Sequence, residues 1–523
     1  MEHIFKMAIT ITLFLLILIY LLPDDLLPDE IQMRRYDVLR NSQRKSPHIV
    51  FILADDLGWN DVGFHEGSEI KTPFMDELAS SGVRLDNYYV QPVCSPSRAS
   101  IMTGLYTSHN GINRYIHPTE PTCLPLHLPT IADSLRQNGY ATHLVGKWHL
   151  GMSRNNCLPL NRGFDSFFGI YGGSGDYYTH RVHRNAPSGE FSIEGYDFRD
   201  NERVAKELSG QYATKLYGNR ALEIIEQHAN NTIQKPLFLF LSMQTPHCPI
   251  QAPDGERFIA PYGGIQKERR RLYAAMVSSM DEAIGNVTHA LDKHGMRNNT
   301  VIIFSSDNGG IYKQGGNNKP LRGEKHQVYE GGIKAVAFVN SPLLSSTVNG
   351  TSYLGLLGAA DWHSTLVEGI VGGKITTNQT DGHNMWNAIR LGEPSPRSEY
   401  LFSVGGDCAW TPKIPFKTQD PNNVPTMYGS IRKGPWKLII GDPKQLDLQS
   451  KQVYLRNADA VSLFNIHVDP YEQSNVLADH QDVFEDLLNR LKFHCRTHVN
   501  YSPKKWDRNS DPRLRDGVYG PWL

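Results

Sequence analysis

The stretch HIVFILADD, residues 48–56, is apolar from Ile49 to Ala54 and then stops on two carboxylates, Asp55 and Asp56. A strand with one wetted face alternates polar and apolar residues. A continuous run has to be covered on both faces, as in a parallel sheet held between two layers of helices. The pattern recurs three times. ATHLVGKWHLG (141–151) runs out at Lys147 and His149, PLFLFLSMQTPH (236–247) at His247, and TVIIFSSDNGG (300–310) at Asp307 and Asn308. Helical stretches lie between these runs. PFMDELASSG closes with Gly82 and PTIADSLRQNG with Gly139, both good helix stops. The segment from Arg270 to His294 reads as a long amphipathic helix.

Strands alternating with helices predict an α/β fold with a large, mostly parallel sheet flanked by helices. In such sheets a ligand sits beyond the carboxyl ends of the strands, so four strands would deliver acids, an amide, histidines and a lysine to one edge. After about residue 395 the texture changes. MYGSIRKGPWKLII reads as a hairpin turning at Lys433 and Gly434, SLFNIHVDPYEQSNV as a strand entering a turn, and VFEDLLNRLKFH as a helix. The expected organisation is a signal or anchor segment with linker at 1–46, a catalytic α/β domain at 47–395, and a smaller C-terminal α+β domain with an antiparallel sheet at 396–523.

Bulk charge selects no partner. With 53 basic and 54 acidic residues the formal net charge is −1, so nothing favours nucleic acid. Residues Met7 to Leu22 form an apolar run, with Lys6 before it and Asp24 and Asp25 after it. Its length falls between a signal-peptide core and a membrane span, and no small-x-small cleavage site follows. The expectation is an uncleaved type II membrane anchor with the body across the membrane; the alternative is a removed signal peptide. Either sends the chain into the secretory pathway, to the lysosome or the extracellular space. Glycosylation acceptors at Asn230, Asn286, Asn298, Asn349 and Asn378 agree, and a sixth, Asn500, is the poorest because Pro503 follows its serine. Six cysteines are too few for a disulfide-built scaffold.

Asp55, Asp56, Asp307 and Asn308 offer only oxygen ligands, which suits calcium or magnesium and not zinc. In QPVCSPSRASIMTG (91–104), PSRASIMTG reads as a helix start with Pro96 in its first turn. A helix N-terminus attracts anions, and Arg98 adds a fork suited to a tetrahedral oxyanion. Lys147 and Lys325 add point charges. A metal, cations and a nucleophile around one anion equip a site to cleave a phosphate or sulfate ester.

The stretch CSPSR matches the Cys-x-Pro-x-Arg signature of the sulfatase family, and LADDLGW, GKWHLG, TPH and FSSDNGG resemble sulfatase motifs in the same order. The resemblance spans residues 47–523. Within the family it is nearest to the arylsulfatase B (N-acetylgalactosamine-4-sulfatase) pattern, through LADDLGWNDVGFH, VGKWHLGM, RGFDSFFG and GGNNKPLRGEK.

The resemblance implies an alkaline-phosphatase/sulfatase-like fold. It implies that a formylglycine-generating enzyme oxidises Cys94 to formylglycine, and that Asp55, Asp56, Asp307 and Asn308 hold one calcium ion together with residue 94. It assigns Arg98, Lys147, Lys325 and His247 to the sulfate, His247 to protonating the leaving oxygen, and His149 to removing a proton from the second hydroxyl. His180 falls in a matched motif near the substrate pocket; His183 is expected at the surface. Cys123 and Cys157 match a bridged pair, Cys408 is expected to pair with Cys495, and Cys248 to stay reduced beside His247.

The implied substrate is a sulfated carbohydrate, N-acetylgalactosamine sulfate in glycosaminoglycans. Lys319 and His326 stand where the resemblance leads one to expect tryptophans: either the change favours a more anionic substrate, or both positions lie outside the pocket and change nothing. Two alternatives stand beside this reading: a phosphodiesterase or phosphonate hydrolase on the same scaffold, and a catalytically dead, membrane-tethered glycan-binding protein.

Overall fold

A computed structural model of the chain describes residues 46–65, 67–185, 192–232, 235–375, 377, 379–416, 425–441, 461–499 and 506–523. The apolar run at Met7–Leu22, Asn378 and Asn500 lie outside them. Among the described residues no helix is long and apolar enough to cross a membrane.

A ten-stranded sheet organises residues from Pro47 onward. In chain order its strands are β1 (His48–Ala54), β2 (Val83–Leu85), β3 (Ala141–Lys147), β4 (Ser166–Ile170), β5 (Arg199–Asp200), β6 (Arg203–Val204), β7 (Leu237–Ser242), β8 (Thr300–Ser306), β9 (Ala337–Asn340) and β10 (Thr351–Tyr353). Their spatial order is β10-β2-β9-β8-β1-β7-β3-β4-β5-β6. The five central strands, β8, β1, β7, β3 and β4, are parallel. Antiparallel pairings occur only toward the edges, at β8–β9, β9–β2, β4–β5 and β5–β6.

Alternation within β1 explains its unbroken apolarity. Ile49, Phe51 and Leu53 enter one core with the helices α2 (Cys94–Thr103) and α3 (Ile131–Gln137). Val50, Ile52 and Ala54 enter the other, with α1 (Pro73–Ser80), α4 (Ala213–Ala229) and α5 (Glu268–Lys293). Helix α3 starts on a capping box, Thr130 with Asp133, which satisfies two otherwise orphaned backbone donors.

A separate four-stranded antiparallel sheet follows: β11 (Glu399–Gly406), β12 (Met427–Lys433), β13 (Trp436–Ile440) and β14 (Val461–Asn465). Helix α6 (Gln481–Arg496) covers it through Phe484, Leu487, Leu488 and Leu491. Its core also takes in Tyr89, Tyr106 and Ile333, which precede β11 in the chain. The hairpin turns at Gly434 as its sequence suggests, with φ 54°.

Disulfides join Cys123 to Cys157 and Cys408 to Cys495, and Cys94 and Cys248 take part in neither bridge. The first bridge closes a 34-residue separation between the segment before α3 and the segment after β3. Constraint of the unfolded chain by a loop of that length is worth about 3–4 kcal/mol. Cys123→Ala is therefore expected to lower unfolding free energy by roughly that amount, read from urea denaturation of both proteins under oxidising conditions. An unchanged midpoint would place the bridge outside the cooperative core. Asn230, Asn286, Asn298 and Asn349 are all exposed, as a glycan acceptor must be.

Candidate functional site

Strands β1, β3, β7 and β8 end at the same edge of the sheet, and the register brings their last residues together. Asp55 and Asp56 follow β1, and Asp307 and Asn308 follow β8, all buried. Asp307 and the start of the next loop are tied to β1, because the Asp307 N–H donates to the Ala54 carbonyl and the Asp56 N–H reaches Asp307 Oδ1 at 3.3 Å. Asp56 has a φ of 65°, a strained left-handed position for a non-glycine residue of the kind found at functional sites.

Cys94 is the first residue of α2, with an extended residue, Val93, before it. Its thiol is 2 % exposed and lies 3.4 Å from Asp55 Oδ1 and 3.1 Å from Lys325 Nζ. Burial pushes the thiol well above its ordinary pKa, and the Asp55 charge adds to this. Atoms of Asp55, Asp56, Cys94 and His247 that could ligate a metal all fall within 4.8 Å of one another.

Cations line the same space. Lys147 Nζ donates to Asp55 Oδ2 at 2.5 Å, and Lys325 Nζ to Asp56 Oδ1 at 2.5 Å. Arg98 donates through Nε and Nη2 to Asp307 Oδ2 at 3.0 and 2.9 Å, and through Nη1 to Ser242 Oγ at 2.6 Å. Burial works against ionising Asp55, yet Lys147, His247, Arg98 and Lys325 together hold it below the usual carboxylate range. Asp307 goes the other way, to about 6, because burial and the Asp55 charge outweigh Arg98. Three carboxylates balance three permanent cations. A bound divalent cation would tip the site to net positive, the sign an anionic ester needs.

The two histidines differ in orientation. His247 Nδ1 donates to the Cys248 carbonyl at 2.6 Å, so Nε2 is the atom facing the site, 3.7 Å from Asp56 Oδ2. His149 is held through Nε2, 3.2 Å from the Ile116 carbonyl, and its Nδ1 is buried with no hydrogen-bond partner. Burial, with Lys147 and Arg98 nearby, keeps His149 neutral well below its ordinary pKa. Neutral and with Nε2 donating, it offers the Nδ1 lone pair as a base.

The donor set fits a hard cation. Asn308 Nδ2 donates to Asp56 Oδ1 at 2.7 Å and to the Gly309 carbonyl at 3.0 Å. Its Oδ1 is buried and has no hydrogen-bond partner, which is costly unless something positive meets it. Carboxylate and amide oxygens are the ligands calcium takes.

His180 is not brought into this cluster. Its Nε2 lies 3.1 Å from the Leu208 carbonyl and its ring packs on Phe198, with centroids 4.4 Å apart. These contacts bury it as a packed structural group. His183 is exposed, as expected.

Several residues that position the site carry no sequence signal of chemistry. Ser95 Oγ donates to the His149 carbonyl and accepts from the Ile116 N–H, fixing the wall that holds His149. Tyr177 OH donates to the carbonyls of Gln244 and His247, bracing the end of β7. Gly146, with φ 110°, lies where a Cβ would stand 1.8 Å from the Ser242 carbonyl, so only glycine lets β3 and β7 converge just before Lys147. Gly173 sits against the His149 ring, and a Cβ there would meet ring atoms at 2.4 Å. Gly173→Ala is expected to displace His149 and lower kcat about 10–100-fold. The loss should vanish in a His149→Ala background; an undiminished loss there would exclude action through His149.

A profile of the sulfatase family matches residues 47–368. Arylsulfatase J of Mus musculus is 42% identical over 504 residues, covering 91% of this chain and 80% of that protein. N-acetylgalactosamine-6-sulfatase of Rattus norvegicus is 31% identical, over 56% of each chain. Among solved structures, that of Ps i-CgsB in complex with k-i-k-neocarrahexaose superposes with a TM-score of 0.73 and 28% identity, covering 90% of this chain and 98% of that one.

Proposed function

The chain belongs to the sulfatase family, and on that premise we propose that it hydrolyses sulfate monoesters of carbohydrates at the edge where β1, β3, β7 and β8 end. One observation carries the reading: Cys94, at the start of α2, lies within hydrogen-bonding reach of both Asp55 and Lys325, inside a buried ring of three acids and three cations.

Asp55, Asp56, Asp307 and Asn308 would hold a calcium ion, which when bound supplies positive charge to polarise the sulfate oxygens and stabilise charge as it develops. Residue 94, once oxidised to formylglycine and hydrated, supplies a nucleophilic hydroxyl together with a second hydroxyl whose loss of a proton releases the sulfate. Lys147 and Lys325 hold the anion, each a compact charge paired with a carboxylate. Arg98 keeps Asp307 and the β3–β7 edge in register through its contacts to Asp307, Ser242 and the Lys147 carbonyl. His247 passes a proton at Nε2 to the leaving oxygen, and His149 accepts one at Nδ1.

The substrate we propose is a sulfated amino sugar of glycosaminoglycans, with the 4-sulfate of N-acetylgalactosamine first and its 6-sulfate second. The sulfated-sugar names of the relatives support the class. Lys319 and His326 are exposed, and the His326 N–H donates to the Pro92 carbonyl, two residues before Cys94. That places His326 beside the nucleophile segment and supports a partner richer in negative charge. Two disulfides and four exposed glycan acceptors support passage through the secretory pathway.

The test is peptide mass at residue 94 combined with parallel assays of aryl sulfate, aryl phosphate and defined sulfated disaccharides. An aldehyde at 94 with turnover of sulfate alone is the expected result. An unmodified thiol in protein made with the generating enzyme would favour a glycan-binding role, and faster phosphate hydrolysis would favour a phosphodiesterase.

A further inference from the structure

The segment from Arg322 to Glu330 carries Lys325 to Cys94 and Asp56, and it is gripped from the C-terminal sheet by one residue. Glu472, in the turn after β14, is fully buried with a φ of 54°. A glutamate in the left-handed region costs free energy, and such positions persist where the surroundings demand them. Its carboxylate accepts from the Glu330 N–H through Oε2 at 2.7 Å, at one end of the segment. Its backbone carbonyl accepts from Arg322 Nη1 at 2.7 Å, at the other end. The ends also meet each other, since the Gly331 N–H donates to the Arg322 carbonyl at 2.7 Å and the Arg322 guanidinium lies 4.0 Å from the Tyr329 ring centroid.

Glu472 is itself held. Lys437, on β13 and fully buried, places Nζ 2.7 Å from Glu472 Oε1 and 2.9 Å from Glu330 Oε1. Glu330 Oε2 accepts from Tyr89 OH at 2.6 Å, and Arg432 on β12 donates to the same hydroxyl. One ammonium thus bridges a carboxylate from the C-terminal turn and a carboxylate from the Lys325 segment. A buried ionic group of this kind adds little net stability over an apolar equivalent, but it enforces one geometry.

We propose that Glu472, held by Lys437, is a positioning residue for Lys325: it clamps the 322–330 segment so that the Lys325 ammonium stays at hydrogen-bonding distance from Cys94 and Asp56. The proposal rests on the sulfatase reading for its kinetic consequence and on geometry alone for its structural one. In it the C-terminal sheet contributes to the reaction without touching substrate.

Two readouts keep these apart. In amide hydrogen exchange, Glu472→Ala should lose about 10-fold or more protection at Glu330 and Gly331, while β1 and β8 amides are unchanged. In kinetics with aryl sulfate, Glu472→Ala should lower kcat about 10–100-fold with KM altered less than about 3-fold. Glu472→Gln, which can still accept from the Glu330 N–H, should recover most of the loss. In a Lys325→Ala background, Glu472→Ala should cost less than about 3-fold more. Should Glu472→Ala fail to fold, Arg322→Ala, on the exposed side of the same clamp, should show the same selective exchange and a smaller kcat loss. Unchanged protection at 330–331, or a full additive loss in the Lys325→Ala background, overturns the positioning role. Altered exchange in Glu472→Ala, together with a wild-type protein that cleaves no sulfate ester, would leave the clamp standing and remove the sulfatase reading instead.

Discussion

Cys94→Ser is expected to fold normally and to lose sulfate ester turnover by about 10⁴-fold or more. The fold should tolerate it because a hydroxyl can use the contacts the thiol has, accepting from Lys325 and donating to Asp55. Unfolding free energy should change by no more than about 1 kcal/mol. Turnover should not survive in a serine left unoxidised, because it has no aldehyde to hydrate and a sulfate ester formed on it would have no second hydroxyl to expel it. The thiol is no substitute, since burial and Asp55 keep its proton on. Circular dichroism and urea denaturation check the first half, and aryl sulfate hydrolysis the second. Wild-type rates in a serine variant whose peptide mass shows no aldehyde at residue 94 would rule out the diol chemistry altogether.

Asp307→Ala should combine a structural and a metal effect. Its Oδ2 is the acceptor for two Arg98 nitrogens at full burial, so removing it leaves the guanidinium hydrogen-bonded to Ser242 and the Lys147 carbonyl, with the Asp55 carboxylate farther off at 3.9 Å. Breaking such a buried pair costs about 3–5 kcal/mol. Wild-type protein should gain about 2.7 kcal/mol from calcium at a hundred times its Kd, reversed by chelation. In the variant that gain should shrink to near zero, because one of three carboxylates is gone. Thermal unfolding with and without calcium reads both effects without any assay of turnover. A variant that keeps the full calcium-dependent shift would place the ion elsewhere.

Much of this architecture was legible before any coordinates. Unbroken apolarity in β1 and β7 can be satisfied only by cover on both faces, and the helices that supply it announce themselves by period and by their stops. Residues at the strand ends were legible for the same reason: a buried strand that terminates in Asp-Asp or Asp-Asn has left the core for a place where charge is tolerated. The parts that misled were local. His180 follows the GSGDYYT stretch directly, and its left-handed backbone sets the ring on Phe198. Motif proximity carries no information about side-chain direction.

Nothing in the residues around position 472 pointed to the nucleophile. Glu472 reads there as one more acid in a polar turn, and its grip on the Lys325 segment exists only because the C-terminal sheet packs against Tyr89 and Ile333. Gly173 is similar: its role is the space the His149 ring occupies, visible only when two segments meet. Local pattern was enough to determine which elements form and which chemistry they carry, since periodicity and burial are properties of a single segment. Which nitrogen of each histidine faces the site, which lysine pairs with which aspartate, and what holds Lys325 in place depend on distances between segments far apart in the chain. Those were decided by packing, because only the folded sheet links residues 55, 56, 94, 98, 147, 247, 307 and 325 into one cluster.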